Sequence, residues 1–261
     1  MSAAKMLMLK LIIALSFAAS MAMAVGDRRV ALVIGNADYW NFPDLANPGN
    51  DAADLGARLE DLGFEVILGV DQTRDELVST LLDFARRLEG ADTSLFFFAG
   101  HGMQINDVNH MIPVDAILSP ELRVDDQTVT IDRVVQLMNQ FTDNALVFLD
   151  ACRDNPLTAD IPIGSRDDGV GRGLARLRAA GGSYISFATA PGHVAYDGEG
   201  RNSPFTEALL RHISTPNVDI RLMMADVRRD VFEATAQQQL PWENNSLIGR
   251  FYFRQDDRLS R

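Results

Sequence analysis

The sequence predicts an α/β fold: a mostly parallel six-stranded sheet flanked by helices on both faces. Three observations carry this reading. Apolar runs such as Val30 to Ile34 and Ala145 to Leu149 are continuous rather than alternating, as in strands covered on both sides. Segments with apolar residues at helical spacing separate these runs. Strands that alternate with helices are joined by crossovers, which makes neighbouring strands parallel.

Val30 to Gly35 reads as the first strand, followed by a polar, turn-rich loop from Asn36 to Asn50. Asp51 to Leu62 carries Ala52, Leu55, Leu59 and Leu62 on one helical face, and Gly63 is the stop. Phe64 to Val70 is the second strand. Thr73 to Leu88 is an amphipathic helix with Thr73 as N-cap and Glu76 three residues on, a capping-box pattern. Ser94 to Gly100 is the third strand, Ile131 to Asn139 a helix, and Ala145 to Asp150 the fourth strand. A long stretch from Leu157 to Gly182 then carries Gly164, Gly169, Gly171 and Gly173 among its arginines, and a loop of this length in a compact domain is usually functional or mobile. Ser183 to Thr189 is the fifth strand. Ser203-Pro204 opens a helix with a capping hydroxyl and proline at the first helical position. Ile220 to about Gln237 is a further helix, and Ile248 to Phe253 the sixth strand. There is no internal repeat and no low-complexity tract.

Residues 1–24 stand apart. Lys5 and Lys10 give a positive start, Leu11 to Ala19 an apolar stretch, and Ala22-Met23-Ala24 a small-x-small cleavage site, which is a secretory signal pattern. The apolar stretch falls short of the about 20 residues a membrane span needs. Residues 25–261 are therefore expected to be exported, periplasmic or secreted, with no stable membrane association once the signal is removed. Without residues 1–24 every cation is an arginine, 22 of them against 36 acids, and the net charge falls from −12 to −14. So acidic a surface excludes nucleic acid and anionic membranes as partners. It favours basic substrates.

The chemistry concentrates at two strand ends. Leu95-Phe96-Phe97-Phe98-Ala99 ends at Gly100-His101-Gly102, and Ala145-Leu146-Val147-Phe148-Leu149 ends at Asp150-Ala151-Cys152-Arg153. Cys152 is the single cysteine of the chain, so no internal disulfide forms. If both runs are parallel strands of one sheet, His101 and Cys152 emerge at its carboxyl edge, where open α/β sheets place their sites. A thiol beside an imidazole is a nucleophile with its base. The blander reading of Cys152 is a buried small hydrophobe; the polar run Arg153-Asp154-Asn155-Pro156 after it disfavours burial. His110, His193 and His212 compete with His101, and His193 also follows a strand. The amides of Gly102 and Cys152 are candidates for an oxyanion hole. One cysteine and four scattered histidines show no metal-ligand spacing. Asn36-Ala37-Asp38-Tyr39-Trp40 stands where a nucleotide-binding domain would carry its glycine-rich phosphate loop.

These residues resemble the caspase/metacaspase clan of cysteine peptidases, and are most similar to its bacterial members of the caspase p20-domain type. The resemblance runs from about Arg29 to His212. Its carriers are Val30 to Asn36 with Tyr39, then Leu45 and Asn50-Asp51-Ala52, Phe96 to Gly102, Leu149 to Arg153, Ser186 to Gly192, and Asn202-Ser203-Pro204-Phe205-Thr206. It implies a caspase-hemoglobinase-like three-layer sandwich and a cysteine endopeptidase with a His101/Cys152 dyad that needs no third, orienting residue. A histidine about 50 residues before the cysteine fits the caspase signature, whereas the glutamine two positions before the cysteine is replaced by Asp150. Metacaspases also have an acid there, and the family places a second pocket acid where Asp51 stands. Two carboxylates facing one pocket repel each other unless a cation lies between them, and a guanidinium satisfies both. The resemblance therefore implies a P1 pocket of Asp51 and Asp150 and cleavage of protein or peptide substrates after Arg, or Lys. Asp51 also fits a helix N-cap and Asp150 a strand-end surface acid; Asp197 and Glu199 are secondary candidates for the pocket.

No cofactor is implied. Some metacaspases need calcium, and the scattered acids here leave that dependence open. The division expected is a large segment at about 28–156, a mobile linker at about 157–182 and a small segment at about 183–261. Arg166, Arg172, Arg176 and Arg178 in the linker are candidate self-cleavage points. The alternative function is a catalytically silent caspase-like binding or scaffold module.

Overall fold

The computed structural model describes residues 27–105, 108–119, 122–152, 181–190, 193 and 195–256. The described strands are β1 (Arg29–Gly35), β2 (Phe64–Val70), β3 (Thr93–Ile105), β4 (Val108–Met111), β5 (Val129–Thr130), β6 (Asn144–Cys152), β7 (Ser183–Phe187) and β8 (Trp242–Asn245). The helices are α1 (Pro48–Asp61), α2 (Arg74–Arg87), α3 (Val124–Gln127), α4 (Ile131–Phe141), α5 (Pro204–His212) and α6 (Ile220–Ala234).

Six strands form the main sheet in the order β2-β1-β3-β6-β7-β8. All neighbours are parallel except β7 and β8. The continuous apolar runs have the expected cause. Side chains alternate between faces with period two, and both faces are covered. Ala31, Val33, Leu95, Phe97, Leu146 and Phe148 pack with α1, α5 and α6. Their neighbours Val30, Leu32, Ile34, Phe96, Phe98, Val147 and Leu149 pack on the other side with α2 and α4. The three-layer α/β sandwich follows. No helix of the described residues is long and apolar enough to cross a membrane.

Local signals position the helices. The Thr73–Glu76 capping box forms in both directions at the start of α2. Ser203 caps α5 by accepting the Thr206 N–H, with Pro204 in the first turn. Gly35 lets α1 begin against β1, because a Cβ there would lie 2.1 Å from the Pro48 carbonyl oxygen. That close approach brings the first turn of α1, with Asp51, to the carboxyl edge of the sheet.

Several expectations need correction. β3 does not stop at Gly100 but runs on to Ile105, and its last residues pair antiparallel with β4. α1 starts at Pro48 with Asn47 in the N-cap position, so Asp51 is not a cap. α6 ends at Ala234, before the positive-φ pair Ala236 and Gln237. The strand at the end of the chain is Trp242–Asn245, not Ile248 to Phe253. Phe251 and Phe253 are nonetheless buried in the core, while Ile248 is 94% exposed. The edge of β7, however, is already paired by β8, so this segment packs without joining the ladder. Residues 1–26 and 153–180, with the signal segment and the linker arginines, lie outside the described residues.

Candidate active site

β3 and β6 run side by side in parallel from Thr93 opposite Asn144 to His101 opposite Cys152. A separation of 51 residues in sequence thus closes to one position on adjacent strands, whose backbones lie about 4.8 Å apart. Of the four histidines, His101 is the one that lies on a strand paired with β6. His110 is buried with Nδ1 2.8 Å from Thr128 Oγ1, His212 pairs with Asp230 at 2.8 Å, and His193 is exposed.

The chain before α1 builds a seat for His101. Its main-chain N–H donates to Tyr39 Oη at 2.8 Å, and the Tyr39 ring lies tilted against the imidazole with centroids 4.5 Å apart. Phe42 meets the imidazole edge-on at 6.3 Å. The loop itself is pinned by Asp71 Oδ1, which accepts the N–H groups of Ala37 and Asp38 at 2.7 and 3.0 Å. Gly100 is required beside this seat. Its φ is 149°, and a Cβ would come within 2.8 Å of Tyr39 Oη and 3.1 Å of the Asn36 carbonyl oxygen.

The ring nitrogens of His101 differ. Nε2 lies 2.8 Å from the Pro43 carbonyl oxygen. A carbonyl only accepts, so Nε2 carries the hydrogen and Nδ1 keeps its lone pair. Nδ1 is buried and has no hydrogen-bond partner among the described residues. Burial holds the imidazole below its ordinary pKa, opposed by the Pro43 bond and by the charges of Asp197 and Asp44. At neutral pH His101 is therefore a neutral ring that keeps Nδ1 as an acceptor. The Pro43 carbonyl is an orienting partner that the expectation of an unassisted dyad lacked.

Asp51 and Asp150 are brought together and both are buried. Ser203 links them. Its N–H donates to Asp51 Oδ1 at 3.0 Å, and its hydroxyl donates to Asp150 Oδ2. Thr206 Oγ1 adds a second bond to Asp150 Oδ2 at 2.9 Å. Burial pushes Asp51 well above the ordinary carboxylate range, and the charge of Asp150 pushes it further. Asp150 is also raised by burial, against the bonds from Ser203 and Thr206. Neither acid is a cap or a surface group; they form a desolvated pair that resists carrying two charges. Asp197 raises both acids, so it shares their neighbourhood. Glu199 does not; it lines a separate cleft with Tyr196 and Glu207. Among the described residues no three His, Cys, Asp or Glu gather as a metal site.

A family model described as "Caspase domain" matches residues 28–252. The chain belongs to the caspase-domain family. This is a family of cysteine peptidases. The caspase domain here is 30% identical over 171 residues to the mouse mucosa-associated lymphoid tissue lymphoma translocation protein 1 homolog, covering 65% of this chain and 19% of that protein. It is 23% identical over 245 residues to mouse caspase-1, covering 86% of this chain and 59% of that protein. It thus spans about a fifth to three fifths of these relatives. The crystal structure of caspase-1 from Spodoptera frugiperda superposes with a TM-score of 0.64 at 18% identity, over 88% of this chain and 93% of that one.

Sequence reasoning missed the contacts that build this site of the caspase domain. Tyr39, Ser203 and Thr206 lie in the stretches that carry the family resemblance, but their bonds to His101, Asp51 and Asp150 depend on tertiary neighbours. The Pro43 carbonyl has no signature at all, because every residue carries one.

Proposed function

We propose that this caspase domain is a cysteine endopeptidase that cleaves protein or peptide substrates after Arg or Lys. The observation that carries the reading is the register that sets His101 opposite Cys152, beside the buried Asp51–Asp150 pair. In this reading His101 Nδ1 accepts the thiol proton, Cys152 Sγ attacks the scissile carbonyl, and His101 returns the proton to the leaving amine. Water then releases the acyl group from the thioester.

The developing oxyanion is held by the amides of Gly102 and Cys152. Ile112 N–H bonds to the His101 carbonyl, so the Gly102 amide faces away from β4 and toward β6, the strand that carries Cys152. The pocket acids hold the P1 cation: a guanidinium supplies the charge that two buried carboxylates lack and satisfies both by bidentate bonds. The reaction needs no cofactor. The chain is exported through residues 1–24, and processing of the linker follows an arginine, since no lysine stands after residue 10.

Fluorogenic peptides ending in Arg, Lys and Asp test this with purified residues 25–261 and the Cys152→Ala variant. Turnover of the Arg and Lys peptides that vanishes in Cys152→Ala is expected. Preference for Asp refutes the pocket assignment, and turnover of none of them favours a silent binding module.

A further inference from the structure

A cleft of about 330 Å³ lies between α2 and α4, on the face of the sheet opposite α1 and the acid pair. Sites for small molecules run from about 300 to 1,000 Å³ and are mostly apolar, with a few convergent polar groups. This cleft has that composition, and its two kinds of lining are separated. α2 follows β2 and α4 leads into β6, both flanking parallel strands, so the two helices run in the same direction. Arg74, Thr130 and Arg133 line the end where both helices begin. Val78, Leu82 and Ala85 of α2 and Val134 and Leu137 of α4 line the rest. At 1.5 Å per residue, Arg74 to Ala85 covers about 16 Å. The apolar wall is open to solvent: Leu82 is 54% exposed and Val78 37%.

The polar end is short of partners. Arg87, later on α2, is held by both Asp83 and Glu65. The Arg133 side chain, in contrast, makes no ion pair or hydrogen bond among the described residues. Arg74 reaches only the fully exposed Asp75, at 3.9 Å, and its Nε is buried with no partner among the described residues. Thr130 Oγ1 is also buried without a partner there, and it leaves α4 without a side-chain cap. Buried polar atoms normally find a partner. Asp125 also lines the cleft and sets one carboxylate against the two guanidinium groups, so the lining stays net positive on a chain of net charge −12.

We propose that this cleft binds a long-chain fatty acid, its carboxylate between Arg74 and Arg133 and its acyl chain along the α2–α4 groove toward Ala85 and Leu137. A guanidinium pairs with a carboxylate through two parallel bonds, and the Thr130 hydroxyl is a further donor for the same head. Each methylene laid on the apolar wall leaves water and adds affinity. Cations gathered at one end, rather than along both rims, suit a head and a tail better than a helix with charges along its length. The inference is independent of the dyad and of the P1 pocket.

Calorimetric titration of the purified protein with dodecanoate, below its micelle concentration, tests this. One site per chain is expected. Arg133→Gln is expected to weaken binding about tenfold. Leu82→Asp, which puts a charge on the exposed wall, is expected to weaken it at least about thirtyfold. Dodecanol, which lacks the charge, and octanoate, which lacks the length, are each expected to bind at least about tenfold more weakly than dodecanoate. Leu222→Asp alters an exposed leucine on α6, outside the cleft, and is expected to keep wild-type affinity. Absence of saturable binding overturns the proposal, as does unchanged affinity in Arg133→Gln or an equal loss in Leu222→Asp and Leu82→Asp. Sedimentation velocity adds a separate arm: a dimer that Leu82→Asp dissociates assigns the groove to a second copy of the chain and overturns the proposal as well. Thermal unfolding checks each variant, and Arg133→Gln with the ligand series decides if Leu82→Asp does not fold.

Discussion

His101 donates its Nε2 hydrogen to the main-chain carbonyl of Pro43, 58 residues earlier, at 2.8 Å. This bond selects the tautomer in which Nδ1 is the acceptor. A side-chain carboxylate in the same place would also raise the proton affinity of the ring strongly; a neutral carbonyl orients it with a weaker pull. Burial then dominates, and the imidazole stays uncharged.

The pH dependence follows with a definite sign. The folded-state pKa of His101 lies below the ordinary 6.5. Its stability contribution is present above pH 6.5 and is lost as pH falls through the lowered value. The acid limb of kcat/KM for an Arg-ended peptide is expected below pH 6.5, and His101→Gln is expected to flatten the loss of stability on that side. An acid limb above 6.5 contradicts the buried, neutral ring.

The acid pair has the opposite sign. Asp51 and Asp150 are both raised from 3.8. Their contribution to stability is full below pH 3.8 and is lost as pH rises through the raised values. Asp51→Asn keeps an acceptor for the Ser203 N–H and removes the group whose ionisation is opposed by burial and by Asp150. It is expected to stabilise the free protein at pH 7 by about 1–2 kcal/mol in denaturant unfolding, while turnover of Arg peptides falls by at least about tenfold. A small guanidine such as agmatine is expected to bind more tightly as pH rises, releasing protons in calorimetry.

Tyr39→Phe keeps the ring contact with His101 and removes the acceptor for its main-chain N–H. An unsatisfied buried N–H costs about 1–3 kcal/mol. Denaturant unfolding is expected to show that loss, and kcat to fall more than KM changes.

Two caps give a contrast. Thr73→Ala removes an exposed capping box that bonds neither His101 nor the acid pair, and is expected to cost about 1 kcal/mol with activity intact. Ser203→Ala removes a cap and the hydroxyl bonded to Asp150, so it is expected to cost about 2 kcal/mol and to weaken turnover of Arg peptides.

The layers were legible because continuous runs such as Leu95 to Ala99 have one physical cause, coverage on both faces. The caps at Thr73 and Ser203 were legible because they are written in adjacent residues. The ends of strands were not. β3 runs past Gly100 because a hairpin partner at Val108–Met111 awaits it, and Ile248 to Phe253 fails as a strand because β8 already holds the edge of β7. In the site, the residue types at His101, Asp51 and Asp150 were readable. The contacts of Asp197, a secondary pocket candidate, were not, since its bonds to Ala46 and Asn47 span about 150 residues and depend on tertiary packing.

The most direct measurement is covalent labelling of residues 25–261 with an irreversible Arg-ended acyloxymethyl ketone, followed by peptide mapping. One equivalent of adduct on Cys152, lost in His101→Ala and slowed in Asp150→Asn, is the expected result. Labelling that is absent, or that ignores both substitutions, contradicts a thiol activated across β3 and β6 beside an acidic P1 pocket.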